Sequence, residues 1–136
     1  MEISDLIKPL KKLAKTSKAR LGGTACFAIK NGAIISSGVN HNPTGEQMED
    51  EVDGKLVSRP EVIHAEVATI NAARKNDVDL TGAVLLMAMS PCINCAREIC
   101  GTGAKEIYYL YEWWDAASIK MLNEHGIKTV KLKEEK

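Results

Sequence analysis

The sequence predicts an α/β fold, a three-layer α-β-α sandwich on a mixed five-stranded sheet whose last strands are parallel. Asn31-Gly32 separates two apolar runs, which indicates an antiparallel hairpin at the start of the sheet. In the second half, apolar runs alternate with helical segments, and strand–helix–strand connections are right-handed crossovers between parallel strands. With 136 residues, the chain is long enough for one core, so residues 1–136 are expected to form a single domain.

The first elements follow from periodicity and from turn residues. A helix is expected near residues 3 to 18, where Pro9 should bend it or restart it. Two strands, 24–30 and 33–39, flank the Asn31-Gly32 turn. The helical periodicity is carried by Ile3, Leu6, Ile7, Leu10, Leu13 and Ala14.

Residues 40–60 contain Pro43, Gly45, Gly54 and Pro60 among polar residues, and this composition predicts a loop at the rim of the active site. After it, helices and strands alternate to the end of the chain. The expected elements are a helix over 62–75, a strand over 83–89, a helix over 92–100, a strand over 106–111, a helix over 115–124 with Asp115 as its N-cap, and a strand over 127–132.

Composition and charge narrow the function classes. The 18 basic and 18 acidic residues cancel, so the chain lacks the global positive field that steers proteins onto nucleic acid. This balance favours a small-molecule substrate and makes tRNA binding the less favoured alternative. No apolar run reaches membrane-spanning length, and the first residues do not follow a signal-peptide pattern, so a cytoplasmic protein is expected.

Three residues in two separate motifs have the side chains of a zinc site. His64, Cys92 and Cys95 supply three ligands, which leaves one coordination position for water in a catalytic site. Cys92 and Cys95 are three residues apart, so they share a face on the first turn of a helix. A structural site would need a fourth protein ligand, for which His41 and His125 are the remaining histidines.

Glu66, two residues after His64, suits a different role. Zinc lowers the pKa of its bound water, and a nearby carboxylate can take the proton released. The same carboxylate can return the proton to a leaving group, which a zinc-ligating carboxylate could not do. We therefore expect Glu66 to be the acid/base of a hydrolytic reaction.

The His-x-Glu and Pro-Cys-x-x-Cys pair is the signature of zinc deaminases, and three segments make the resemblance specific. Residues 28–40, 64–66 and 89–99 resemble the cytidine and deoxycytidylate deaminase superfamily, most closely its deoxycytidylate branch. The resemblance spans nearly the whole chain. It implies a cytidine deaminase-like fold, bound Zn²⁺, and deamination of a cytosine nucleotide, dCMP to dUMP, with release of ammonia.

The resemblance also implies substrate contacts. Asn40 would hydrogen-bond the sugar, Ala65 would present its backbone N–H to the base carbonyl, and Ser90 would offer its carbonyl to the exocyclic amine. An Asn that leaves a strand is also a common turn residue, so both readings of Asn40 stay open. Trp113 and Trp114 could stack over the base, bury an interface of a homo-oligomer, or lie in the core.

Two alternatives stay open from the sequence. A tRNA adenosine deaminase would have the same ligands and fold, but it would bind RNA in a salt-dependent way. A non-catalytic, zinc-stabilised binding subunit would have no need for Glu66.

If the substrate is a monophosphate, Lys55 and Arg59 are the cations in the 40–60 segment that could hold it.

Overall fold

A computed structural model describes residues 2–112 and 116–133. Within these ranges a short 3₁₀ helix, Ile3–Leu6, precedes four α-helices and seven strands. The helices are α1 (Ile7–Ala14), α2 (Ala65–Lys75), α3 (Ile93–Cys100) and α4 (Ala117–Glu124). The strands are β1 (Ala25–Lys30), β2 (Ala33–Val39), β3 (Glu49–Val52), β4 (Lys55–Ser58), β5 (Val84–Met89), β6 (Glu106–Tyr111) and β7 (Lys128–Lys131).

Five of the strands form one sheet in the order β2-β1-β5-β6-β7. β1 pairs antiparallel with both β2 and β5, whereas β5, β6 and β7 are parallel. The mixed sheet with parallel last strands is therefore confirmed. Because β2 and β5 run in the same direction, their carboxyl ends lie at one edge of the sheet, where β1 begins.

The β1–β2 turn has the conformation that its residues favour. Asn31 and Gly32 have φ angles of 53° and 75°, the left-handed values that a tight two-residue hairpin requires. The strands pair from Ala25 with Val39 to Lys30 with Ala33. The predicted hairpin is confirmed.

Helices cover both faces of the sheet. On one face Leu6 and Leu10 from the amino-terminal segment pack with Phe27 and Leu86. On the other face α2, α3 and α4 contribute Ile70, Ile99 and Leu122, among others, to a larger core that includes Leu85, Met87 and Ile107. Leu85 and Leu86 are adjacent on β5 and belong to opposite cores, as the alternation of a strand requires. The three-layer arrangement agrees with the prediction.

Gly38 determines how closely α2 approaches the sheet. A Cβ atom at this position would lie 2.7 Å from the backbone nitrogen of Thr69 and 2.8 Å from Cβ of Ala68. Only glycine lets β2 and α2 pack at this separation without a shift. The first turn of α2 carries residues of the site, so this contact helps to position them.

The prediction of a loop over 40–60 was wrong in part. The structure places a two-stranded antiparallel hairpin there, β3 and β4, apart from the main sheet. Asp53 and Gly54 form its turn with φ angles of 51° and 77°. The Asp-Gly pair was the available signal, but the charged residues of β3 lack the apolar alternation of a half-buried strand.

The amino-terminal helix is shorter than predicted and divided in two. A 3₁₀ helix ends at Leu6, and α1 then runs only to Ala14, not to residue 18. Pro9 lies in the first turn of α1, where its missing N–H removes no helical hydrogen bond, so Pro9 marks a restart.

The proposed N-cap Asp115 lies outside the described residues. No helix in the described part of the chain has the length and apolar character needed to cross a membrane.

Candidate functional site

The predicted site residues meet at the edge of the sheet where β2 and β5 end. Ser90 and Pro91 connect β5 to α3, and Cys92 is the N-cap of α3. His64 is the N-cap of α2. A β-bridge brings α2 back to this edge after the β3–β4 hairpin, with hydrogen bonds of 3.0 and 2.8 Å between the backbones of His41 and Ile63.

His64, Cys92 and Cys95 form a cluster that fits a zinc ion. Their ligand atoms all lie within 4.8 Å of one another. Among the described residues, these three form the group of His, Cys, Asp or Glu side chains that could hold a metal ion together. Nδ1 of His64 lies 3.3 Å from Sγ of Cys95 and 3.6 Å from Sγ of Cys92. Nitrogen and sulfur ligands of a tetrahedral zinc ion lie about 3.6 Å apart. Three protein ligands leave one position for water or substrate.

The electrostatics of the cluster favour a cation. Hydrogen bonds from the Cys95 thiol and from His64 lower the pKa of Cys92 to about 3, from an ordinary value of 9. The hydrogen bond with Cys92 raises the pKa of both Cys95 and His64. The thiolate form of Cys92 is therefore favoured, and a metal ion bound by the cluster would neutralise its charge.

Glu66 lies in the first turn of α2 and is buried, with 8% of its surface exposed. Burial raises the pKa of its carboxyl above the usual 4.5. A raised pKa brings the carboxyl closer to neutral pH, where it can both accept and return a proton. The arrangement thus places a buried carboxyl in the same pocket as two of the three metal-ligand side chains, His64 and Cys92, and its role in proton transfer stays a prediction.

A pocket of about 190 Å³ opens beside these residues. His64, Glu66, Ser90 and Cys92 line it, and so does Asn40. Its other walls come from the segment before β1, from the β3–β4 hairpin and the residues next to it, and from the connection between β5 and α3. These lining residues are Ala19, Leu21, Gly22, Thr24, Met48, Glu49, Ser58, Val62, Met89 and Pro91.

Asn40 also has a structural role in the pocket wall. Its Oδ1 accepts a 2.9 Å hydrogen bond from the backbone N–H of Thr24, and its Nδ2 donates to the carbonyl of Gly22. The side chain therefore joins the end of β2 to the segment that precedes β1. Asn40 therefore fixes local backbone and borders the pocket, and its contact with a sugar stays a prediction.

Ala65 and Ser90 are both buried, Ala65 directly after His64 and Ser90 two residues before Cys92. Ala65 is the first residue of α2, where backbone N–H groups have no partner within the helix. The N–H of Ser90 donates to the carbonyl of Tyr111 at 2.8 Å, which ties the end of β5 to the end of β6. Trp113 and Trp114 lie outside the described residues, so their predicted contact stays a prediction.

Two charged residues of the 40–60 segment differ from expectation. Arg59 forms ion pairs with Glu46 at 2.9 Å and Asp50 at 3.0 Å, which engages the cation within its own segment. Glu49 lies in the segment whose polar composition predicts a loop, yet it is buried and lines the pocket. No local pattern distinguishes Glu49 from its acidic neighbours, because its burial depends on contact with residues 20 and 21.

Comparison with known proteins agrees with this site. The profile of the family described as the cytidine and deoxycytidylate deaminase zinc-binding region matches residues 2–111. The chain belongs to this deaminase family. As a member of a zinc-binding family with a fitting ligand cluster, it uses zinc as its cofactor and is a zinc-dependent hydrolase.

Individual relatives of this deaminase chain carry the name deoxycytidylate deaminase. The protein from Enterobacteria phage T2 is 24% identical over 80% of this chain and 79% of its own length. The Homo sapiens protein is 30% identical over 63% of this chain, which spans only 51% of the human protein. Among solved structures, dCMP deaminase from cyanophage S-TIM5, in complex with dCMP and dUMP, is similar with a TM-score of 0.86. That match has 27% identity and covers 97% of this chain and 99% of the phage chain.

Proposed function

We propose that this protein deaminates dCMP to dUMP and releases ammonia. The observation that carries the proposal is the likeness, over almost the full length of both chains, to a phage enzyme whose structure contains dCMP and dUMP. The pocket beside the ligand cluster supports it, because a small nucleotide could enter where the metal ligands and Glu66 meet.

The proposed chemistry divides between the ion and the chain. Zinc, when bound by His64, Cys92 and Cys95, supplies the Lewis acid that activates a water molecule. Glu66 takes the proton from that water and passes protons to the ring nitrogen and to the leaving amine. Its burial supports this role, since desolvation raises the pKa of the carboxyl above its usual value and so makes it a better proton acceptor.

The proposed substrate contacts surround the cytosine ring. The backbone N–H of Ala65 meets the base carbonyl, the carbonyl of Ser90 meets the exocyclic amine, and Asn40 meets the sugar. Ala65 is the first residue of α2, next to His64, and Ser90 follows β5 and lines the pocket, which supports the assignment. Trp113 and Trp114 remain proposed base contacts beyond the described residues.

The 5′-phosphate needs a cation, and the described pocket lining contains neither Lys nor Arg. Arg59 is engaged by carboxylates. The exposed side chains of Lys18 and Arg20 flank the lining residue Ala19, and we assign the phosphate to this pair.

A substrate panel tests the proposal. Purified zinc protein is incubated with cytosine, deoxycytidine, dCMP, dCTP, CMP and a tRNA anticodon arm, and ammonia release is measured. The highest kcat/KM is expected for dCMP. Arg20→Ala should raise KM for dCMP and leave kcat/KM for deoxycytidine unchanged. Lys55→Ala, next to the β3–β4 turn and outside the pocket lining, should change neither. Preference for the free base or for RNA would refute the proposal.

We also propose that residues 1–136 act as one domain, in the cytoplasm, and as a homo-oligomer. The four free cysteines suit a reducing compartment. Exposed apolar side chains near the site edge and on the hairpin support self-association. They are Leu21, Val52, Val57, Met89 and Tyr111. Light scattering coupled to gel filtration should give a mass that is a multiple of the 14.8 kDa chain.

A further inference from the structure

Glu49 differs from the other acidic residues of its segment by its burial. It is the first residue of β3 and is 4% exposed, and it lines the same pocket as His64 and Glu66. Its acidic neighbours point to solvent: Glu46, Asp50, Glu51 and Asp53 are all exposed. Burial of a carboxylate is unfavourable unless hydrogen-bond donors surround it, so a structural or functional reason is required.

One oxygen of Glu49 has a structural role. Oε2 accepts hydrogen bonds from the backbone N–H of Arg20 at 2.9 Å and of Leu21 at 3.1 Å. Asn40 fixes the same segment further along, through Gly22 and Thr24. The pocket wall formed by residues 19–24 is therefore held by two side chains from outside it.

The other carboxylate oxygen of Glu49, Oε1, has no such partner among residues 2–112 and 116–133. Within the described part of the chain, the hydrogen bonds recorded for Glu49 both end on Oε2. Oε1 remains as an acceptor on a side chain that lines the pocket. A buried carboxylate is stabilised by a further hydrogen-bond donor, and it repels a phosphate group. The ligand group that suits this position is a hydroxyl.

We propose that Glu49 is a substrate-binding residue that accepts a hydrogen bond from the 3′-hydroxyl of the nucleotide through Oε1. This inference rests on the proposed function, because a 2′-deoxynucleoside 5′-monophosphate has only that one free sugar hydroxyl. Oε2 holds the wall at residues 20 and 21 at the same time. The β3–β4 hairpin thereby takes part in substrate selection, and a 3′-phosphorylated nucleotide is excluded by charge repulsion.

The test compares dCMP with 2′,3′-dideoxycytidine monophosphate, which lacks the hydroxyl. In the unmodified protein, loss of a hydrogen bond to a charged group should lower kcat/KM about 10- to 100-fold. In Glu49→Gln, turnover of dCMP should fall and the ratio between the two substrates should become smaller, because a neutral amide forms a weaker hydrogen bond with the hydroxyl than a carboxylate does. The matched control is Glu51→Gln on the exposed face of β3, which should keep the full ratio.

Two results would overturn the inference. If the unmodified protein processes dCMP and the dideoxy compound equally, Glu49 does not read the hydroxyl, and this holds whether or not the variant folds. If the Glu49→Gln variant folds, binds zinc and keeps the kcat/KM ratio of the unmodified protein, another residue binds the hydroxyl. An unmodified protein that does not turn over dCMP would instead refute the proposed function itself.

Discussion

The contact between Gly38 and α2 leads to a prediction that links packing to catalysis. Gly38→Ala adds a Cβ atom 2.7 Å from the backbone nitrogen of Thr69, while ordinary contact begins at 3.4 Å. Gly38 is not among the glycines with positive φ, so alanine is conformationally allowed there. The effect of the substitution therefore comes from steric overlap alone.

The magnitude follows from two opposing terms. Overpacking costs about 1–3 kcal/mol, and the reduced entropy of the unfolded chain offsets about 0.4–1 kcal/mol of it. We expect a net loss of about 1–2 kcal/mol in the free energy of unfolding. To relieve the overlap, α2 must retreat by about 0.7 Å, which moves His64 and Glu66 relative to Cys92 and Cys95. Misplacement of this size should lower kcat about 10- to 100-fold.

Urea unfolding followed by circular dichroism and steady-state deamination kinetics measure the two effects. Ser37→Ala, at the neighbouring exposed position on β2, is the control and should change neither quantity. An alanine variant at position 38 with the unmodified urea midpoint and kcat would refute the reasoning, because it would show that α2 is not held by this contact.

Three further predictions concern the site and the core. Glu66→Gln should keep one zinc per chain by atomic absorption and lose at least about 100-fold in kcat; full activity would exclude its role as proton carrier. Cys95→Ser should lose zinc under mild chelation and melt at a lower temperature, whereas Cys100→Ser, on the last turn of α3, should retain both metal and stability. Leu86→Ala should lower the free energy of unfolding by about 2–5 kcal/mol in urea, since its side chain is fully buried, and a loss below 1 kcal/mol would show that this core collapses around the gap.

The local features of the fold could be predicted because they depend on neighbours in sequence. Asn31-Gly32 favours positive φ angles whatever surrounds it, and the spacing of Cys92 and Cys95 places both on the first turn of α3. The alternation of strands and helices after residue 80 implied parallel pairing, which the sheet order confirms. The sequence motif also associates His64 and Glu66 with the cysteine pair.

Tertiary structure decided what depends on distant contacts. The 3.3 Å approach of His64 to Cys95 spans 31 residues and depends on how α2 and α3 pack on the sheet. Glu49 is buried because Arg20 and Leu21 donate their N–H groups to it, and no periodicity in the acidic segment marks that position. The sequence by itself determined the metal ligands and the order of elements, since residue chemistry and local spacing are properties of the chain. The pocket wall exists only because the fold brings residues 20, 40 and 49 together.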